Sequence, residues 1–141
     1  MSPATGLPGK VQILSDAEAL AASAADWVVA AAAASGPEFH IALAGGSTPK
    51  RLYELLAGRP SSDAIDWSRW HVWFGDERAC SPADFRANFA MARHALLDRV
   101  HVPIDNIHRM EAESPDLDGA AAAYSSLLAL TVPSAPGGAP R

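Results

Sequence analysis

Short apolar blocks alternate along the chain with longer stretches in which apolar residues recur every three or four positions. The blocks KVQIL (10–14), FHIALA (39–44) and WHVWF (70–74) read as strands. The second is nearly continuous, as in a strand covered on both faces, and the third is aromatic and β-branched. NIHRM (106–110) reads as a fourth, short strand. Residues 15–33 read as a helix, with Ser15 and Glu18 at capping-box spacing and Gly36-Pro37 as the stop. A second helix is predicted from Pro49 to Ala57, with Thr48 as its cap, Pro49 in the first position and Gly58 just past its end. Over 84–100, Phe85, Phe89, Ala92 and Leu96 fall on one helical face. Ser114 and Pro115 open a last helix that would turn Leu117, Tyr124, Leu127 and Leu128 toward the core.

Strands alternating with helices imply right-handed βαβ units. The expected class is therefore α/β, a doubly wound, mainly parallel sheet with helices on both faces. Residues 1–130 form a single α/β domain in this reading, and TVPSAPGGAPR (131–141) is a Pro/Gly-rich loop or linker. Such a tail reads as a connection to further chain, so the domain is expected to be incomplete at its C-terminus.

Composition narrows the function classes. The 141 residues are one domain's worth, enough to bury roughly 68–70% of the unfolded surface. Apolar residues make up 49% and the net charge is −5 at pH 7, so no basic face for nucleic acid is implied. Cys80 is the only cysteine, which rules out a disulfide framework and fits a reducing compartment. MSPATGLPGK at the start lacks the apolar core of a signal peptide, and WVVAAAAA (27–34) is too short to span a bilayer. The expectation is a soluble, cytoplasmic protein without a membrane partner; oligomeric state is not legible.

Chemistry concentrates where strands give way to helices. In AGGSTP (44–49), Gly45 and Gly46 let the backbone turn sharply and approach a ligand, while Ser47 and Thr48 offer hydroxyls at a helix start. Unpaired N–H groups there make an anion site, and phosphate is the commonest occupant. G-x-G-x-x-G and the P-loop pattern are both absent, which points to a smaller phosphorylated ligand than a nucleotide. Lys50 and Arg51 are cations in the first turn, against the helix dipole; each taken alone reads as a solvated surface residue.

WFGDER (73–78) repeats the strand–glycine–charge arrangement. Asp76 and Arg78 point the same way in extended chain and Glu77 the opposite way. Arg78 can clamp an anionic oxygen and Asp76 can hold a hydroxyl, or the two can pair to close the loop. Asn88 is either a buried group bonding this loop or a surface residue. His94, His101 and His108 recur every seven residues, but the helix should end near Val100, so no metal site is read from them. Trp27, Trp67, Trp70 and Trp73 read as core and rim packing.

LAGGSTPKRLYELLA (43–57) and WHVWFGDERACSPADFRANFAMARHALLDRVHVPIDNIHRM (70–110) together resemble the 6-phosphogluconolactonase family, related in fold to glucosamine-6-phosphate deaminases. The resemblance covers about Lys10 to Tyr124 and implies a modified Rossmann-like sheet. It implies hydrolysis of 6-phosphoglucono-1,5-lactone in the oxidative pentose phosphate pathway, without metal or organic cofactor. Gly45, Gly46, Ser47 and Thr48 would line the substrate site, and Asp76 and Arg78 would be its charged active-site pair, with Arg78 on the phosphate or the lactone oxygen. The family's catalytic histidine sits in a D-G-H-T motif. Here His40, His71, His94, His101 and His108 follow Phe, Trp, Arg, Val and Ile, so the motif is missing and the chain alone is expected to turn over little lactone. An amino-sugar-phosphate deaminase or isomerase, and a non-catalytic phosphosugar-binding module, are the alternatives.

Overall fold

The computed structural model describes residues 9–134. In chain order these form α1 (Ala17–Ala34), β1 (Phe39–Leu43), α2 (Ser47–Ala57), α3 (Ser61–Ala64), β2 (Trp70–Phe74), α4 (Asn88–Ala92) and α5 (Leu117–Thr131). β1 and β2 pair in parallel, with Phe39 opposite Trp70 and Leu43 opposite Phe74. A single parallel bridge, Val72 to Ile107, continues the sheet, fixed by the His108 N–H donating to the Val72 carbonyl at 2.8 Å. The architecture is parallel α/β as expected, but NIHRM makes one bridge rather than a strand.

Strand alternation sends Leu43, Trp70, Val72 and Phe74 to one face, where they form the core with Val28 and Ala32 of α1, Tyr53 and Leu56 of α2, and Leu96. Leu56, Val72 and Leu96 are fully buried, and each side chain of that size removed from water contributes about 1.5–3 kcal/mol. The other face carries His40, His71 and Trp73, and α5 reaches it through Tyr124, whose ring meets Trp73 edge-on at 5.7 Å. Over Ala17–Ala34 the mean hydropathy is 1.3, enough by length and composition for a bilayer span. Its Ala21, Ala25, Val28 and Ala32 are buried against the domain, one stripe of a helix whose other faces are open.

Several local expectations change. Residues 10–14 form no strand: Val11 and Ile13 are exposed, and Gln12 and Leu14 lie in a groove beside Leu20, Trp27 and Leu52, away from any ladder partner. Trp27 is 71% exposed instead of packed. α1 is capped by Asp16, which accepts the Ala19 N–H at 2.8 Å, so the Ser15/Glu18 box does not form. α2 starts at Ser47 with Gly46 as the cap residue, earlier than Pro49 and without a Thr48 cap. The 84–100 helix begins only at Asn88 and ends in a π-turn over Arg93–Leu97. Arg86 and Asp84 pair with each other upstream of it, and Phe85 stands 91% exposed. α5 buries no residue: Leu117 and Leu127 are exposed, Tyr124 and Leu128 half-buried. The helix runs to Thr131 and Val132 is buried; the rest of the proposed linker, 135–141, lies outside the described residues.

Candidate functional site

Both glycine-bearing loops leave the carboxyl ends of the two paired strands, on the same edge of the sheet. That edge is where ligands bind in open parallel sheets. The first loop is held from below. Tyr53 of α2 donates its hydroxyl to the Ala44 carbonyl at 2.9 Å and accepts the Ala44 N–H at 2.8 Å. Burial pushes the Tyr53 phenol above its ordinary pKa, so the ring stays a neutral donor. Gly46 then takes φ 104°, a left-handed conformation that glycine adopts without a Cβ penalty. No side chain caps α2, and Pro49 has no N–H, which leaves the amides at Gly46–Thr48 facing outward beside the Ser47 and Thr48 hydroxyls. Gly46, Ser47 and Thr48 are exposed.

The cations of this helix separate. Arg51 turns away from the loop to Glu18 of α1, at 2.7 and 2.9 Å, and to Glu54 at 3.2 Å. It therefore ties α1 to α2 on the surface, where solvent screens the pair and leaves it a weak contribution. Lys50 is exposed.

In the second loop the alternation of side chains is realised. Asp76 and Arg78 are exposed, while Glu77 turns inward and caps α4. Its Oε1 accepts the Asn88 N–H and its own neighbour Arg78's N–H, each at 2.7 Å, and its Oε2 accepts the Phe89 N–H at 2.9 Å. That cap is why the helix starts at Asn88. Asp76 and Arg78 form no ion pair, and the Arg78 guanidinium has no acidic partner among the described residues. The loop-closing Asp–Arg pair is thus not what this structure contains.

Asn88 joins the two loops. It is the one buried polar residue among those described, 6% exposed. Its Nδ2 donates to Asp76 Oδ1 at 3.0 Å and to the Asp76 carbonyl at 3.1 Å. Its amide oxygen packs against Gly45, where a Cβ would collide with it. Of the two alternatives the sequence left for Asn88, the buried group bonding this loop is the one found; Glu77 was given no role, and its signal was a carboxylate one strand position out of phase with Asp76 and Arg78.

The histidines gather elsewhere. His40 and His71 face each other across β1 and β2 with rings stacked at 4.6 Å, and His71 Nδ1 lies 3.3 Å from His108 Nε2. Glu38 places its carboxylate oxygens 3.1 Å from His40 Nε2 and 3.6 Å from His71 Nε2. Ligand atoms of Glu38, His40 and His71 lie within 4.8 Å of one another. Trp73 donates its indole N–H to His40 Nδ1 at 3.1 Å, so the His40 proton sits on Nε2 and bonds Glu38 instead of leaving a lone pair for a metal. His40 lies five positions before Gly45 and His71 four before Gly75, about 13–16 Å at 3.3 Å per residue. His94 stands at the surface beside Asp98.

The family described as glucosamine-6-phosphate isomerases/6-phosphogluconolactonase matches residues 15–139. A 6-phosphogluconolactonase from Nostoc is 40% identical over 130 residues, which are 90% of this chain and 52% of the relative. The structure of a 6-phosphogluconolactonase from Leishmania guyanensis superposes with a TM-score of 0.77 at 30% identity, over 92% of this chain and 54% of that one. A monomeric glucosamine-6-phosphate deaminase shares the fold, with a TM-score of 0.74 at 17% identity over 82% of this chain and 48% of that one. The chain spans about half the length of these relatives.

Proposed function

The chain belongs to the family of glucosamine-6-phosphate isomerases and 6-phosphogluconolactonases, and from that premise we propose that it carries the phosphosugar-binding edge of a lactonase site. The reaction is hydrolysis of 6-phosphoglucono-1,5-lactone to 6-phosphogluconate in the oxidative pentose phosphate pathway, in the cytoplasm and without a cofactor. The observation that carries this reading is the placement of Gly45–Thr48 and of Asp76 with Arg78 on one sheet edge, joined by Asn88.

The roles follow from the chemistry available. Outward amides at the α2 start, with the Ser47 and Thr48 hydroxyls, receive an anionic oxygen. Arg78, without an acidic partner among the described residues, supplies a forked cation for the phosphate or for the oxyanion that forms when water attacks the lactone carbonyl. Asp76, held by one oxygen, keeps Oδ2 for a sugar hydroxyl or for orienting the attacking water. His40, His71 and His108 are engaged in a cluster of their own on the α5-facing side of the sheet, so in this reading none of them is the water-activating base at this edge. Turnover by this chain alone is accordingly expected to be near the spontaneous rate.

Calorimetry with 6-phosphogluconate tests the reading. Binding that is lost in Arg78→Ala and not matched by gluconate supports it; equal heats for the phosphorylated and unphosphorylated sugar acids overturn it. Freshly generated lactone and glucosamine 6-phosphate, followed by acid release and ammonia release, separate the lactonase from a deaminase.

A further inference from the structure

Asn88 touches both loops through opposite ends of one small amide, and nothing in the reaction chemistry above requires an asparagine there. The side chain is 6% exposed, at the first position of α4. Its main-chain N–H is held by Glu77 Oε1 at 2.7 Å, so the Cα cannot drift from the second loop. Asp76 offers two acceptors, Oδ1 and the carbonyl, and the amide turns Nδ2 toward both. That leaves the amide oxygen aimed at Gly45, in contact with a residue that has no side chain to yield. Any movement of the first loop at Gly45 is therefore felt by the group that holds the Asp76 carboxylate.

We infer that Asn88 is a positioning residue that couples the phosphate loop at Gly45 to the orientation of the Asp76 carboxylate. The inference rests on the phosphosugar reading of the site. Two donors fix Asp76 Oδ1 and the strand end together, so Oδ2 faces outward in one rotamer. Occupation of the Gly45–Thr48 loop holds Gly45, Gly45 holds the amide oxygen, and the amide holds the carboxylate. One buried side chain thereby sets the geometry between the group that binds the anion and the group that meets the rest of the sugar. An aspartate at this position would set a carboxylate against Asp76, and an alanine would leave the Asp76 side chain free to rotate.

Affinity for 6-phosphogluconate is measured for the folded protein in Asn88→Ala, Asn88→Asp, Gly45→Ala and the Gly45→Ala/Asn88→Ala double variant. Val28→Ala serves as a destabilising control remote from the site. The expected result is a weakening of tenfold or more in both Asn88 variants, none in the control, and a double variant that unfolds at or above the midpoint of Gly45→Ala alone, because removing the amide removes the clash. Unchanged affinity in the Asn88 variants, or strictly additive loss of stability in the double variant, overturns the inference. If the parent chain binds no 6-phosphogluconate, the functional reading fails, and the coupling is then decided without ligand. The Asp76 methylene couplings in NMR should report one rotamer in the parent and averaging in Asn88→Ala; no change between them overturns the coupling.

Discussion

The two ends of the paired strands carry similar numbers of polar side chains and use them in opposite ways. From the amino end to the middle of the strands, Glu38, His40, His71, His108 and Trp73 spend hydrogen-bonding groups on one another. At the carboxyl end, Glu77 and Asn88 are half-buried and buried and bond the loop's own backbone and the Asp76 carboxylate, while Asp76 and Arg78 stand exposed. A cluster that satisfies itself has little left to offer a ligand. A shell that satisfies its own backbone and presents exposed charges keeps those charges for a ligand, which is what the proposed phosphosugar site calls for.

The contrast can be broken most severely where the two ends meet. Tyr124 donates to the His108 carbonyl and accepts the Phe74 N–H, each at 2.9 Å, bridging the sheet where its third segment peels away. Tyr124→Phe orphans both backbone groups and should cost about 1–3 kcal/mol in chemical denaturation. Full retention of stability would show that the gap closes without the hydroxyl. Glu77→Ala, at the carboxyl end, removes the acceptor for three backbone N–H groups and should cost about 0.5–2 kcal/mol, with fraying of α4 visible in amide exchange.

Acid separates the ends more gently. Burial, and the neighbouring imidazoles, push His71 and His108 below the usual histidine pKa. The unfolded chain then binds more protons than the native one, so this contribution is intact above about pH 6.5 and is lost as pH falls below it. His108→Gln should flatten that part of the stability–pH curve; a profile identical to the parent's would mean the cluster takes up protons freely when folded. The smallest effect on stability belongs to Arg78→Ala, within about 0.5 kcal/mol for an exposed side chain whose guanidinium has no partner among the described residues, although it should abolish phosphosugar binding. A large loss of stability there would make Arg78 structural and erase the contrast.

Much of the scaffold was legible locally. FHIAL and WHVWF become β1 and β2 because short apolar runs have few alternatives to a covered strand, and the glycines of AGGSTP fall at the turn into α2. KVQIL satisfies the same local criterion and fails, since a strand exists only with a ladder partner and none reaches it. Phe85 has helical spacing and lies outside the helix, because Glu77, eight positions earlier, caps the chain at Asn88.

What the sequence determined by itself was periodic or conformational: the identity of β1, β2, α1 and α2, the places where only glycine fits, and the opposite phase of Glu77 to Asp76 and Arg78. These depend on neighbours within a few residues. The tertiary structure alone decided which polar groups are spent and which are offered. Arg51 is claimed by Glu18, 33 positions away, His71 by His108, 37 away, and Asp76 by Asn88 across a loop. A hydrogen bond is short-ranged in space and indifferent to separation along the chain, so partnership is settled only when folding brings the two ends of each bond together.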